Sequence, residues 1–381
     1  MSEYQSSNEN VVSLVYGICF YTYTISYILF SASNINQITS IGAIATAFNF
    51  FCIACLIVVI LMTPKSFIGW LEFSVCAAIG FLTYMYTGES IFLFFVLFCC
   101  VEIPENSNYM HAIFRRDILV RIFLILFVLV LGLINVIPST SSVRMMISSG
   151  AVVARSSFGF AHPNVLGALF LSLIAEWTYL RKEKMTILEI AFLLFMVFIE
   201  NEFINVRSST IIAVFILIGV FLLKAPISMK IKRILQSNLI LYAYVLGLVI
   251  SIFIANSYVA GNGMTIWDRL NKLFSGRIGI FQFYLSNMHF SLFPQQLPTY
   301  ELTGETALDN TYLYLLLHFG LLALVLFQIL VLVKGINLRK RNDIYGLLIW
   351  FSFSLFSLME GSAFYPAINI LLTFRIKERK K

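Results

Sequence analysis

The chain has 381 residues, 60% hydrophobic and 12% charged, with a formal net charge of +7 and a mean hydropathy of +0.89. Soluble globular domains carry about 25% charged residues, so this composition excludes them. The basic excess sits beside apolar runs, which points to lipid and not to nucleic acid as its partner. The expected class is an all-α polytopic integral membrane protein, a single membrane domain over residues 1–381.

Residues 1–10 hold Glu3 and Glu9 but no Lys or Arg, so a cleaved signal with its basic leading region is not expected. A helix crosses about 30 Å of hydrocarbon with roughly 20 apolar residues. Apolar windows follow at 11–31, 41–62, 67–86, 89–103, 117–137, 163–180, 186–204, 209–228, 234–256, 311–333, 344–360 and 362–375. The fourth and twelfth are short, which predicts about 12 transmembrane helices, with a range of 10–12. No period-two alternation suggests a barrel. Cys19, Cys52, Cys55, Cys76, Cys99 and Cys100 all lie in apolar runs, where a thiol packs as a small hydrophobe. The C-x-x-C at 52–55 has no charged neighbour to activate it.

With the N-terminus inside, most of the 26 Lys and Arg fall on inside connections, at Lys65, Arg115, Arg116, Arg121, 181–184, 224–233, 334–341 and the basic segment 375–381. That asymmetry places both termini in the cytoplasm. Two outside connections are longer than the rest: 138–162, and a large extracytoplasmic loop at 257–310, which is expected to carry short helices. Within the second, "TIWDRLNKLF" repeats Trp267, Leu270 and Phe274 at helical spacing, with Asp268 and Lys272 on the other side.

The cations left outside are Arg144, Arg155, Arg207, Arg269, Lys272 and Arg277, all but one of them arginine. A guanidinium fork grips phosphate or carboxylate oxygens two at a time, which Lys cannot do. An anion held at the outer surface is one reading. Pairing with Glu200, Glu202, Asp268, Glu301, Glu305, Asp309 or lipid headgroups is the other. "RSSFGFAHPN" at 155–164 places Pro163 at the first position of a helix, so His162 falls at its cap and Asn164 just inside. The free N–H groups there favour an anion, and the helix dipole favours a neutral imidazole able to accept a proton. A purely structural cap is equally compatible with the pattern. "SST" after Arg207 reads as a cap for the next span. His111 and His318 read as structural, while His289, downstream of Arg277, is a second candidate.

The four aspartates are Asp117, Asp268, Asp309 and Asp343, and they form no D-x-D pair for a divalent metal. Neither zinc spacing nor a phosphate-binding glycine loop occurs, so no metal or other cofactor is expected. The first outside loop, "ASNINQITS", contains no carboxylate.

"FGFAHPN", "VRSST", "SGR" and "LDNTYLYLLLHFG" together resemble the landmarks of bacterial capsular and exopolysaccharide repeat-unit polymerases, the O-antigen polymerase family, over roughly residues 144–333. Ala161 stands where that pattern has glycine. The resemblance implies a metal-independent glycosyltransferase in the bacterial cytoplasmic membrane. It would join polyprenyl-diphosphate-linked oligosaccharide units on the outer face and release polyprenyl diphosphate. It implies catalytic roles for His162 as base and for Arg155, Arg207 and Arg277 on the diphosphate. It also implies that Asp309 and Asn310 shape the site; the outward charges, the cap and the large loop themselves make Arg144, Arg269, Lys272, Asn164 and His289 the expected further substrate contacts. A chain-length regulator and a flippase of the same pathway are the implied protein partners. An O-antigen ligase, which moves finished polymer to another acceptor, shares this plan. A transporter or flippase is the alternative from a different class, with Glu72 and Glu176 as the intramembrane residues that would mark its pathway.

Overall fold

The computed structural model describes residues 2–37, 41–103, 107–145, 152–258, 266–274, 276–298 and 308–376; for 2–10, 107–108, 141–145, 152–154 and 376 it describes the backbone alone. Helix α1 (Ser2–Ser26) continues into a π-helical turn at Tyr27–Ser31. It is followed by α2 (Ile41–Met62), α3 (Phe67–Thr87), α4 (Ile91–Cys100) and α5 (Ser107–Leu133). A two-residue strand β1 (Glu102–Ile103) lies between α4 and α5; after α5 a hairpin of β2 (Ser141–Met145) and β3 (Val152–Ser156) leads to α6 (Pro163–Arg181), α7 (Ile187–Ile204), α8 (Arg207–Lys224) and α9 (Ser228–Leu235). The chain continues through α10 (Asn238–Leu241), α11 (Ala243–Ser257), α12 (Ile266–Leu273) and α13 (Arg277–Asn287). It closes with α14 (Thr311–Tyr314), α15 (Gly320–Lys340), α16 (Ile344–Phe356) and strand β4 (Arg375–Ile376), which pairs in parallel with β1.

Five helical stretches among the described residues are long and apolar enough to cross a membrane: Val11–Ser31, Ile41–Met62, Phe67–Thr87, Arg207–Lys224 and Thr311–Lys340. Three shorter apolar helices, α4, α11 and α16, accompany them. Most expected windows coincide with a helix, and the short helices α12 and α13 lie in the long connection between α11 and α14. The hairpin β2–β3 in the 138–162 connection was not expected.

The window 362–375 is not a helix, and twelve spanning helices are not seen. Gly361 and Pro366 interrupt it, and only the short 3₁₀ turns Gly361–Phe364 and Ile370–Leu372 form. Irregular backbone inside an apolar bundle needs partners for its carbonyls. Side chains from the surrounding helices supply them. Arg121 donates to the Ala367 carbonyl, Tyr16 to Thr373 at 2.9 Å, and Lys334 to Phe374. At the end of the segment Arg375 pairs with Glu72 at 3.0 Å.

Arg121 is therefore not a residue of an inside connection. It is fully buried between α5 and α6, paired with Asp117 one turn earlier and with Glu176 at 3.3 Å. These charges make α5 and α6 less apolar than their neighbours, yet they face inward and tie the two helices to the irregular segment. Asp268 is also buried, not on the wet side of α12, while Trp267 packs edge-on against Phe253 of α11.

Candidate functional site

The turn before α6 is held from three sides. Asn34, just after the π-helical turn, donates its side-chain amide to the carbonyls of Pro138 at 2.8 Å and Phe160 at 3.0 Å. Its backbone N–H reaches the Gly159 carbonyl at 2.9 Å. Ser157 accepts from the Thr140 N–H at 3.0 Å. Gly159 sits at φ +89°, and a Cβ there would lie 2.6 Å from Ile137 and 3.0 Å from the Val128 carbonyl of α5. Only glycine meets both conditions without strain. Ala161 has no such requirement: it is exposed and its φ is not positive, so alanine in place of glycine leaves the turn unaltered.

His162 then takes the cap position with extended backbone (φ −153°, ψ 149°), and its Nδ1 accepts from the Asn164 N–H at 3.1 Å. Pro163 follows at the first helical position, as its ring geometry favours. An Nδ1 that accepts carries no hydrogen, so the proton of the neutral ring belongs on Nε2. Arg155, at the end of β3, reaches across to Asn164 Oδ1 at 3.4 Å. Its Nε is buried without a hydrogen-bond partner among the described residues.

Arg207 and Arg277 stand close to Arg155. Burial, then the charges of Arg277 and Arg207, hold the Arg155 guanidinium below its usual value, and Glu360 and Asp309 oppose them. Arg207 opens α8, whose cap position is the unhelpful Val206. The "SST" run is therefore not the cap but the first turn, and it frees Ser208 to donate to Glu360 Oε1. Arg277 opens α13 behind Gly276 at φ +85°. Its Nη2 lies 2.8 Å from Glu360 Oε1 and 2.9 Å from Asp309 Oδ2. Burial would lower the Arg277 value, but those carboxylates hold it above normal. Of the three guanidiniums, Arg277 alone contacts the two carboxylates; by formal charge the five side chains count three positive against two negative.

The other expected residues divide. Asn164 and Asp309 belong to the cluster through Arg155 and Arg277. Asn310 beside them has a structural duty: it caps α14 through Leu313 N–H at 3.0 Å and donates to Ser251 Oγ at 2.9 Å. Arg269 and Lys272 are exposed on α12 and form no hydrogen bond or ion pair with another described residue. His289 is exposed two residues past the far end of α13, whose axis is about 15 Å long from Arg277 to Asn287 at ~1.5 Å per residue. Arg144 lies on β2 opposite Val153, and its side chain is outside the described residues. Arg207 forms no ion pair with Glu202, its expected partner in the turn, nor with Glu200, whose carboxylate accepts from Thr210 at 3.4 Å. His318 bonds Glu89 at 3.2 Å and the Gln295 carbonyl at 2.8 Å, a structural position.

Glu360, Ser208 and Asn34 were missed by sequence reasoning. The signal for Glu360 was present: a lone carboxylate in "SLMEGSAF", with apolar residues on both sides. Among the described residues no group of three or more His, Cys, Asp or Glu side chains is placed to hold a metal ion. Comparison with family models, with curated proteins and with solved structures returned no match.

Proposed function

We propose that this chain is a membrane glycosyltransferase that polymerises polyprenyl-diphosphate-linked oligosaccharide repeat units at the outer face of the bacterial cytoplasmic membrane. The observation that carries this reading is the buried Arg155 Nε that lacks an acceptor among the described residues, in a neighbourhood where Arg155 feels the charges of Arg277 and, more weakly, Arg207. A buried donor without a partner costs about 1–3 kcal/mol, which a phosphate oxygen would recover. Guanidiniums at the diphosphate stabilise the charge that builds as the glycosyl bond breaks, at several kcal/mol for well-placed donors. The acceptor sugar's hydroxyl oxygen bonds to the anomeric carbon as the bond from that carbon to the diphosphate oxygen breaks. Polyprenyl diphosphate departs, and the hydroxyl proton passes to the departing diphosphate or, if Nδ1 is released from the cap, to His162.

In the tautomer its cap imposes, His162 offers Nε2–H as a donor to a diphosphate oxygen. Acting as the base expected from the sequence requires Nδ1 to release the cap first. The carrier alternative draws no support from Glu72 and Glu176. The first is paired with Arg375, and the second is sealed against Arg121 with no exposure.

The test is incubation of the purified protein with a defined lipid-linked repeat unit. The expected product is a ladder of polymer, insensitive to a chelator and absent for Arg155→Ala, Arg207→Ala and Arg277→Ala variants that still reach the membrane. Full-length polymer from all three variants removes the mechanism. Transfer of finished polymer to a separate acceptor, without a ladder, favours the ligase reading.

A further inference from the structure

The end of the bundle opposite the arginine cluster holds a cavity of about 920 Å³ between the start of α5 and the end of α6. Ligand pockets span roughly 300–1,000 Å³, so it is large enough for a bulky headgroup. Its rim carries Arg115, Arg116, Arg181, Lys182 and Lys184 against the single carboxylate Glu183. Arg181 is engaged by Glu189 at 3.0 Å and Lys182 by Asp343 at 2.8 Å. Arg115, Arg116 and Lys184 are exposed and have no ion-pair partner among the described residues. The local potential is felt by His111 on the same rim: burial and the charges of Lys182 and Lys184 hold its imidazole below the usual value.

The wall below the rim is apolar, made by Leu119, Trp177 and Leu180. From there an exposed apolar stripe runs on along α5 through Ile122, Phe123, Leu126, Phe127 and Val130. These positions recur every three or four residues and so share one helix face. Leu119 at 63%, Phe123 at 67% and Leu126 at 55% exposure leave that face open along several turns. A free phosphate would use the rim alone. A molecule with phosphate at one end and a long acyl chain at the other would use the rim, the wall and the stripe together. Positive charge spread along a membrane edge follows from topology alone, but here two separate segments, 111–116 and 181–184, close around one cavity.

We propose that this cavity is a binding site for an anionic phospholipid, with the phosphate on Arg115, Arg116 and Lys184 and an acyl chain along the α5 stripe. The site is independent of the arginine cluster. The test uses the delipidated full-length protein in neutral detergent, with phosphatidylglycerol, phosphatidylcholine and inorganic phosphate as probes. Binding is read by native mass spectrometry or by lipid retained after washing. Phosphatidylglycerol is expected to bind well above phosphatidylcholine, and millimolar inorganic phosphate is expected not to displace it. Arg115→Gln/Arg116→Gln removes two charge-assisted contacts, so its affinity for phosphatidylglycerol is expected to fall at least roughly tenfold. Both arginines are exposed, so the variant is expected to keep its thermal unfolding midpoint; Lys184→Gln alone gives a smaller loss in the same direction. Retention of wild-type phosphatidylglycerol affinity by the double variant overturns the proposal. So does equal binding of the two lipids, and so does displacement by inorganic phosphate, which would mark a free-anion site. A change in polymerising activity is not part of the readout.

Discussion

Arg277 Nη2 lies 2.8 Å from Glu360 Oε1, across 83 residues of sequence. The contact joins the first residue of α13 to the point where the chain leaves α16 and turns back into the bundle. The same carboxylate takes the Ser208 hydroxyl from α8, and its backbone carbonyl takes the Thr311 hydroxyl from α14 at 2.7 Å. Glu360 therefore fixes three helix starts relative to one another, and with them two of the three clustered arginines. Its side chain is 6% exposed and that of Arg277 15%. Little water competes for the pair.

Removing Glu360 should cost more than a surface carboxylate would. Truncating one partner of a buried ion pair typically costs about 3–5 kcal/mol when the other charge is stranded; here Asp309 still holds Arg277 at 2.9 Å. Glu360→Ala is therefore expected below that range by denaturation in detergent, and Glu360→Gln, which keeps shape and an acceptor for Ser208, lower still. In a double-mutant cycle with Arg277→Ala the two changes should couple by more than about 0.5 kcal/mol, the usual limit for independent sites. Additive changes would show that the contact carries no energy.

Gly159→Ala tests the turn that places Arg155 and His162. The left-handed φ costs an alanine about 1–2 kcal/mol. The added methyl would also meet Ile137 at 2.6 Å. Polymer is expected to be lost or strongly reduced with protein still in the membrane. Ala161→Gly, two residues on, is the matched control: it is expected to leave activity unchanged, because that position has ordinary backbone geometry. Equal behaviour of the two variants would remove the argument for a conformational role of Gly159.

How much of this was legible in the sequence follows from what each feature depends on. Helix positions were readable because apolar length and cap chemistry are local; Pro163 and His162 at the start of α6 are the plainest case. The gathering of Arg155, Arg207 and Arg277 was readable as a surplus of arginine on one side of the chain, although no local rule says they meet. Glu360 was hidden because it ends an apolar window and reads as the edge of a span. Arg121 was misplaced because a charge near a window boundary looks like a flanking residue; its partner Glu176 is 55 positions away and becomes visible only when α5 and α6 pack. The irregular segment 362–375 read as a span because its composition is mostly apolar, and the side-chain donors that replace helical hydrogen bonds come from distant helices.

His111 gives the pH dependence a sign. Its imidazole titrates below the usual 6.5 because of burial and the charges of Lys182 and Lys184. The unfolded chain therefore binds a proton more readily than the folded one as pH drops through that value. The stability due to neutral His111 is present above the unfolded value and is lost as pH falls toward the folded one. As pH falls below the unfolded value of 6.5, the unfolding midpoint in neutral detergent should fall more steeply for the wild type than for His111→Gln. Phosphatidylglycerol in the adjacent cavity should narrow the gap between the two curves by offsetting the lysine charges, without closing it, because burial is the larger cause. A wild-type profile that matches His111→Gln without anionic lipid contradicts this account.

His162→Asn separates the two chemical roles open to the imidazole. Asparagine is among the best cap residues and accepts from the first-turn N–H groups as His162 does, so the helix start is kept. It also presents N–H donors, but it cannot take up a proton. If the ring works as the cap leaves it, by donating from Nε2 to a phosphate oxygen, the variant should retain activity within about tenfold of wild type. His162→Ala, which lacks both cap and donor, should lose more and also destabilise the protein by about 1 kcal/mol. If instead the ring must accept the hydroxyl proton, His162→Asn should lose the roughly 10²–10⁴-fold that general base catalysis contributes. It should also flatten the acid limb of the rate profile while its stability stays near wild type. That second pattern would mean that Nδ1 leaves the Asn164 N–H during turnover, so that the cap of α6 would open with each cycle of the proposed reaction.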